Sequence, residues 1–220
     1  PLPFYRALKK ETGLNYKELY NQSIKTIPIK TNFIENAPLN KRKNKNFESY
    51  IYPTEVSNGN LVVIRQGLGS YQDIRVINKE GDVSLLFTPG LLNDFGRIPS
   101  SNNLIAWLEF DKDGRWDKRV FSSIKVLDVN SKKIINNKLK GFFSSIDISP
   151  KGDEIVVLKN NLDGSQSLMF YNTTLSKLFK EIKLNGGVYS SIKYDSAKRL
   201  IGLKTKNGIK DVFLYNISKD

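Results

Sequence analysis

The chain has 220 residues, 39% of them hydrophobic and 11% aromatic, with a formal charge of +13. That length suits one large domain, or a domain with a small extension, and the apolar content excludes wholesale disorder. Neither cysteine nor histidine is present, which removes disulfides, thiol nucleophiles, Cys/His zinc sites, Ser-His-Asp triads and histidine acid–base chemistry together.

No apolar run approaches the ~20 residues of a membrane-spanning helix. The first residue is Pro1 rather than methionine. This leads to the expectation of a processed product or a fragment, with any signal peptide or anchor already removed. The positive charge is compatible with attraction to nucleic acid, anionic lipid or cell-wall polymer. Most of it is scattered lysine in a chain crowded with Lys, Asn and Ile, as products of AT-rich genomes are. Only KRKNK, residues 41–45, forms a run. A nucleic-acid surface clusters its charge and interleaves stacking aromatics, so no specific nucleic-acid partner is expected.

Residues 1–46 predict a helical extension and a linker. PFYRALKKETG puts Phe4, Leu8 and the stem of Lys9 on one helical face, and Gly13 is a stop. Asn15 then caps a second helix with Glu18 three residues on, and Tyr16, Leu19, Tyr20 and Ile24 form its stripe. TIPIKTNF, residues 26–33, reads as extended, and ENAPLNKRKNKN as linker.

From residue 47 onward short apolar runs alternate with Gly, Asn, Asp and Ser clusters. The most buried-looking runs, LVVI, LIAWLEF, IVVL and LIGL, begin at residues 61, 104, 155 and 200, that is 43, 51 and 45 positions apart. A turn precedes each run, and a hairpin and a third run follow it. A fourth run follows in three cases. Four strands per unit at a period in the forties is the pattern of β-propeller blades. The units fall at about 47–90, 91–140, 141–186 and 187–220. A β-sandwich is the alternative, disfavoured by the near-equal spacing.

One unit carries a recognisable repeat. IDISPKGDEIVVLKNNLDGSQSLMFYNTT resembles the repeat of TolB-like, WD-repeat-like bacterial propellers: an apolar strand, Ser-Pro-Asp-Gly, a charged pair, an apolar strand, an Asp-Gly loop and an aliphatic-aromatic strand. Ser149, Pro150 and Gly152 match the turn, with Lys151 where the family usually has Asp, and Asp163 and Gly164 match the loop. The other units keep the hydrophobic frame and lose Ser-Pro-x-Gly. The fourth unit ends without an outer strand. Either residues 26–33 close the ring, or four blades belong to a larger propeller; the second is the expectation, together with self-association through open edges.

The remaining motifs are weak. DKDGRWD offers Asp111, Asp113 and Asp117 as the start of a calcium loop, but position twelve is Ser122, so a polar hairpin is the simpler reading. QGLGSYQ, residues 66–72, lacks the lysine of a P-loop and reads as a hairpin. Asp153 and Glu154 are adjacent carboxylates at a turn, expected to face water rather than converge across a pocket. No Gly-x-Ser-x-Gly elbow occurs, and no catalytic residue, metal or cofactor is expected. Trp107 lies inside a buried-strand pattern. Trp116 stands among Asp, Lys and Arg in the longest loop, where an aromatic is either packed down on a neighbouring blade or offered to a partner, and it is the candidate partner-binding residue.

These features predict a non-catalytic binding module. The resemblance to TolB-like repeats implies the cell envelope or periplasm, and protein or glycan partners. The alternative is an accessory propeller of a larger envelope peptidase or hydrolase, with residues 5–24 as the last helices of its catalytic domain.

Overall fold

The computed structural model describes residues 2–26, 39, 47–92, 97–116, 118–136, 139–196 and 199–217. The chain divides into two compact units, Pro1–Pro38 and Leu39–Asp220. The expected extended segment after residue 26 and the KRKNK run lie outside the described residues.

The first unit contains α1 (Leu2–Thr12) and α2 (Tyr16–Thr26). Gly13, at φ +71°, ends α1 and returns its N–H to the Lys9 carbonyl. Asn15 and Glu18 form a reciprocal capping box: the Glu18 N–H donates to Asn15 Oδ1 at 2.9 Å and the Asn15 N–H to Glu18 Oε2 at 2.8 Å. Two orphan donors at the start of α2 are satisfied this way.

The second unit is four antiparallel sheets. The first is a meander of β1 (Glu48–Val56), β2 (Asn60–Gly67), β3 (Ser70–Ile77) and β4 (Val83–Phe87). In the second sheet the inner edge is broken into β5 (Leu91–Leu92) and β6 (Ser100–Ser101), which both pair with β7 (Leu104–Lys112). The neighbour of β7 is β8 (Val120–Asp128), whose outer partners are the fragments β9 (Lys133–Asn136) and β10 (Lys140–Gly141). The third sheet is the meander β11 (Phe143–Ile148), β12 (Glu154–Asn160), β13 (Gln166–Asn172) and β14 (Leu178–Leu184). The fourth has three strands, β15 (Val188–Ser196), β16 (Arg199–Lys206) and β17 (Ile209–Asn216).

The continuous apolar runs are explained by burial on both faces. On β7, Ile105 and Trp107 pack toward the first sheet, while Ala106 and Leu108 pack toward the third. On β12, Ile155 and Val157 face the second sheet, whereas Val156 and Leu158 face the fourth. Each consecutive pair of sheets therefore shares one apolar cluster. Burying a Leu or Ile side chain in such a cluster contributes about 1.5–3 kcal/mol. Successive sheets stacked face to face around their first strands make a β-propeller.

The ring is open. Among the described residues no apolar cluster joins the fourth sheet to the first. The outward faces of these two sheets also differ in chemistry. The fourth exposes Val212 and Leu214. The first carries an ion network, in which Arg65 grips Asp73 through Nε (3.0 Å) and Nη2 (2.6 Å). Arg75 Nε reaches the same carboxylate at 2.9 Å, and Arg65 Nη1 donates to Glu48 Oε1 at 3.0 Å.

Candidate functional site

In the first three sheets the links between first and second strands lie together at one end and are stitched to one another. The Ser57 N–H donates to the Asn102 carbonyl at 3.0 Å, and Ser100 Oγ to the Glu55 carbonyl at 2.9 Å. One sheet further on, Ser101 Oγ donates to the Pro150 carbonyl at 3.0 Å and Asn102 Nδ2 to the Lys151 carbonyl at 3.1 Å. Ser149, Pro150 and Gly152 make the turn that receives these bonds. Gly152 donates its N–H to the Ser149 carbonyl at 2.9 Å, and Ser149 Oγ donates to Asp153 Oδ1 at 2.7 Å. Gly152 sits at φ +74°, and a Cβ there would meet Asn102 Nδ2 at 2.9 Å.

Glu154 does not face water as its position beside Asp153 suggested. It is half-buried, and accepts a hydrogen bond from the Tyr194 hydroxyl on the next sheet. Burial raises the Glu154 carboxyl above the ordinary range, and the Tyr194 hydroxyl offsets only part of that. Burial, together with the Glu154 carboxylate, also pushes the Tyr194 hydroxyl far up. The first strands of these two sheets are joined by further side-chain bonds. The Ile192 N–H donates to Ser145 Oγ at 3.0 Å, and the Tyr194 N–H to Asp147 Oδ2 at 2.6 Å.

Asp147 is buried and lies 3.0 Å from Arg97 Nη2, an ion pair rather than an aligned hydrogen bond. Burial raises its carboxyl, and the Arg97 charge and the Tyr194 N–H pull it back only part-way. Beside this pair opens a cavity of about 350 Å³. Arg97, Lys193 and Ser145 supply its polar groups, and Ile201, Leu203 and Val212 form an apolar wall. A mostly apolar recess with a few convergent polar groups is the usual form of a binding site. Arg97 and Lys193 were not singled out from the sequence: their neighbours in the cavity are some fifty and ten residues away in the chain, with no local motif.

The opposite end carries the hairpins between second and third strands. Asp111 pairs with Lys140, and Asp113 accepts the Arg115 N–H at 2.8 Å and lies 3.7 Å from Arg119 Nε. Asp117 lies outside the described residues. No group of three acidic side chains able to hold a metal ion occurs among the described residues. Asp163 and Gly164 form the hairpin after β12. Asp163 Oδ1 accepts from both Ser165 Oγ (2.7 Å) and the Ser165 N–H (2.9 Å), bonds that lower its carboxyl pKa, and Gly164 adopts φ +81°. Trp116 is exposed and lines a shallow recess with Lys118, Arg119, Val120 and Phe142. Arg119 stacks over Phe121 at 4.8 Å, flanking that recess. Trp107, in contrast, is buried against Phe87 and donates Nε1–H to Glu109 Oε1 at 2.8 Å.

Four antiparallel sheets joined in series, the first three through their first turns and the fourth through its first strand, invite comparison with solved propellers. The structure is similar to TolB-like and other β-propellers. TolB from Acinetobacter baumannii matches with a TM-score of 0.59 at 11% identity, over 78% of this chain and 42% of that one. The putative TolB from Agrobacterium tumefaciens matches at 0.52 and 11%, over 77% and 78% of the two chains. The acylaminoacyl peptidase of Pyrococcus horikoshii matches at 0.57 and 14%, over 76% of this chain and 31% of that one. This propeller thus spans less than half the length of the Acinetobacter protein. No family model matches the sequence, and no curated protein matches it. Identities this low establish the fold alone. Among the described residues, no helix is long and apolar enough to cross a membrane.

Proposed function

We propose that this propeller is a non-catalytic binding module of the cell envelope, which holds a protein or glycan partner in the recess beside Arg97 and Lys193. The observation that carries the reading is the pairing of an apolar wall with two cations over a rigid floor. The floor is fixed by the Ser145–Ile192 and Asp147–Tyr194 bonds, so little ordering would oppose binding. The recess suits an extended segment with an acidic or carboxylate group beside an aliphatic one. The two carboxyls of raised pKa, Asp147 and Glu154, are engaged by Arg97 and by Tyr194 on its amide and hydroxyl. The likeness to TolB propellers supports the envelope setting.

A photo-crosslinker placed at Val212, on the rim of the recess, tests the reading in a solubilised envelope fraction. Discrete adducts are expected, and they should be lost with Arg97→Glu or Lys193→Glu. Absence of any adduct, or adducts indifferent to both substitutions, would overturn it. The likeness to the acylaminoacyl peptidase supports a second reading, an accessory propeller of a larger hydrolase, with the helical unit belonging to its catalytic part. A catalytic motif elsewhere in the full reading frame would decide for it.

A further inference from the structure

The recess leaves the hairpin end of the sheets without a role, and that end is unusual. Every hairpin between a second and a third strand holds a large apolar side chain in solvent: Leu68 is 76% exposed, Trp116 65%, Leu162 84% and Ile209 64%. Tyr71 and Val188, at the adjoining strand ends, are exposed with them. The tips project to a common level. At the opposite end the turns of the first three sheets are bonded to one another and the fourth sheet is tied to the third through Ile192 and Tyr194, and the second strands β2, β7, β12 and β16 have 8, 9, 7 and 8 residues. At about 3.3 Å per residue these strands differ in length by only a residue or two's rise.

Charge follows the same axis. Lys112, Arg115 and Lys118 surround Trp116, Lys159 precedes Leu162, and Lys206 and Lys210 flank Ile209. Three of the acids at this end are already engaged, Asp111 by Lys140, Asp113 by Arg119 and Asp163 by Ser165. At the turn end, acids and bases are mixed: Lys79, Glu80 and Asp82; Asp128, Lys132 and Lys133; Lys151 and Asp153; Lys177; Asp195 and Arg199. The excess of positive charge is therefore concentrated where the apolar tips are.

We propose that the hairpin end docks on an anionic phospholipid bilayer, with Leu68, Trp116, Leu162 and Ile209 entering the interface and the neighbouring lysines and arginines meeting the headgroups. Four single apolar side chains on four separate sheets, each ringed by Lys, Gly or Asn, do not form the contiguous lysine-depleted core that a protein partner requires. A bilayer accepts separate insertions at one depth, prefers an amphipathic ring such as Trp at the headgroup level, and rewards a basic surround when the lipid is anionic. This docking stands independently of the recess and orients the recess relative to a membrane plane.

Co-sedimentation of the whole chain with phosphatidylcholine vesicles, with and without phosphatidylglycerol, tests the proposal. Trp116 emission provides a second readout, since Trp107 is already buried. Binding to anionic vesicles should exceed binding to neutral ones by about tenfold or more, with a blue shift of Trp116. The double variant Trp116→Ser/Leu162→Ser should weaken it about tenfold, while Lys151→Gln at the turn end should leave it unchanged. No binding to anionic vesicles at low ionic strength would overturn the proposal. Binding that survives the double variant and vanishes with salt would reduce it to adhesion of a basic protein, and overturn it too. So would a Trp116 shift on a soluble acidic polysaccharide with none on vesicles. Loss of vesicle binding while the Val212 adducts persist would dispose of the membrane contact alone, so the two readings fail separately.

Discussion

The two ends of this propeller are made from the same four sheets and yet differ in almost every physical property. At the turn end, small polar residues and glycine bring backbones close enough for side chains of one sheet to bond carbonyls of the next, as Ser101 and Asn102 do with Pro150 and Lys151. Neighbouring sheets are locked in register there, and charge is balanced. At the hairpin end, apolar side chains that folding leaves in water stand among lysines, and the local bonds turn inward on their own hairpin, as between Asp163 and Ser165. One end resembles a scaffold and the other a surface. Residues of the first kind should matter to stability, residues of the second to contact.

Two glycines break the comparison most sharply. Gly152→Val forces a β-branched residue into positive φ and a Cβ to within 2.9 Å of Asn102. A loss of about 2–3 kcal/mol is expected, read as a fall in melting temperature of roughly 4–12 °C. Gly164→Ala, at φ +81° with nothing within 4 Å of the added Cβ, carries only the backbone strain and should cost about 1 kcal/mol. Equal losses at the two glycines would mean that the contact between neighbouring turns contributes nothing.

Acid should act on the two ends in opposite directions. Near the hairpin end of the first sheet, burial alone would raise Asp73, but the hydrogen bonds from Arg75 and Arg65 outweigh it and hold its carboxyl below its ordinary value. Its folded pKa is thus below its unfolded one. The stability it contributes is complete above about pH 4 and is lost as pH falls through the folded value. Toward the turn end, burial holds Asp147 and Glu154 above their ordinary values. Ionising these two costs stability as pH rises through the window between unfolded and folded values, and that cost disappears in acid. Asp73→Asn should destabilise by about 2 kcal/mol at neutral pH, leaving Arg65 and Arg75 without their carboxylate. Its stability should then fall less on acidification than that of the parent. Urea midpoints measured from pH 3 to 7 would check this, and parallel profiles for the two proteins would contradict the assignment.

The difference between the ends also explains what the sequence disclosed. The second strands were legible because β7 and β12 are buried on both faces, which writes an unbroken apolar run flanked by turn residues. The repeat of those runs then gives the sheet count. The inner edge of the second sheet was not legible, since β5 and β6 have two residues each and no periodicity. Partners such as Arg97 with Asp147, or Glu154 with Tyr194, are fifty and forty residues apart and share no local pattern. Glu154 was misjudged for that reason: an acid beside a turn reads as solvated until the next sheet arrives to cover it. Trp116 was visible as one aromatic in a polar loop. Leu68, Leu162 and Ile209 were unremarkable singly, and only the topology brings them to one end.

The smallest expected effect sharpens the comparison from the contact side. Trp116 is exposed, and among the described residues its hydrogen bond is backbone, from the Arg119 N–H to its carbonyl at 2.8 Å. The guanidinium of Arg119 stacks on Phe121 and Phe142, and that packing does not need the indole. Trp116→Ser should therefore change unfolding stability by no more than about 0.5 kcal/mol, the range of ordinary surface substitutions. Chemical denaturation followed by circular dichroism gives the answer without relying on tryptophan emission. A loss well above 1 kcal/mol would mean that the indole packs down on the sheets in solution. In that case the ring is part of the scaffold, the hairpin end loses its largest contact residue, and the contrast between the two ends shrinks to one of charge.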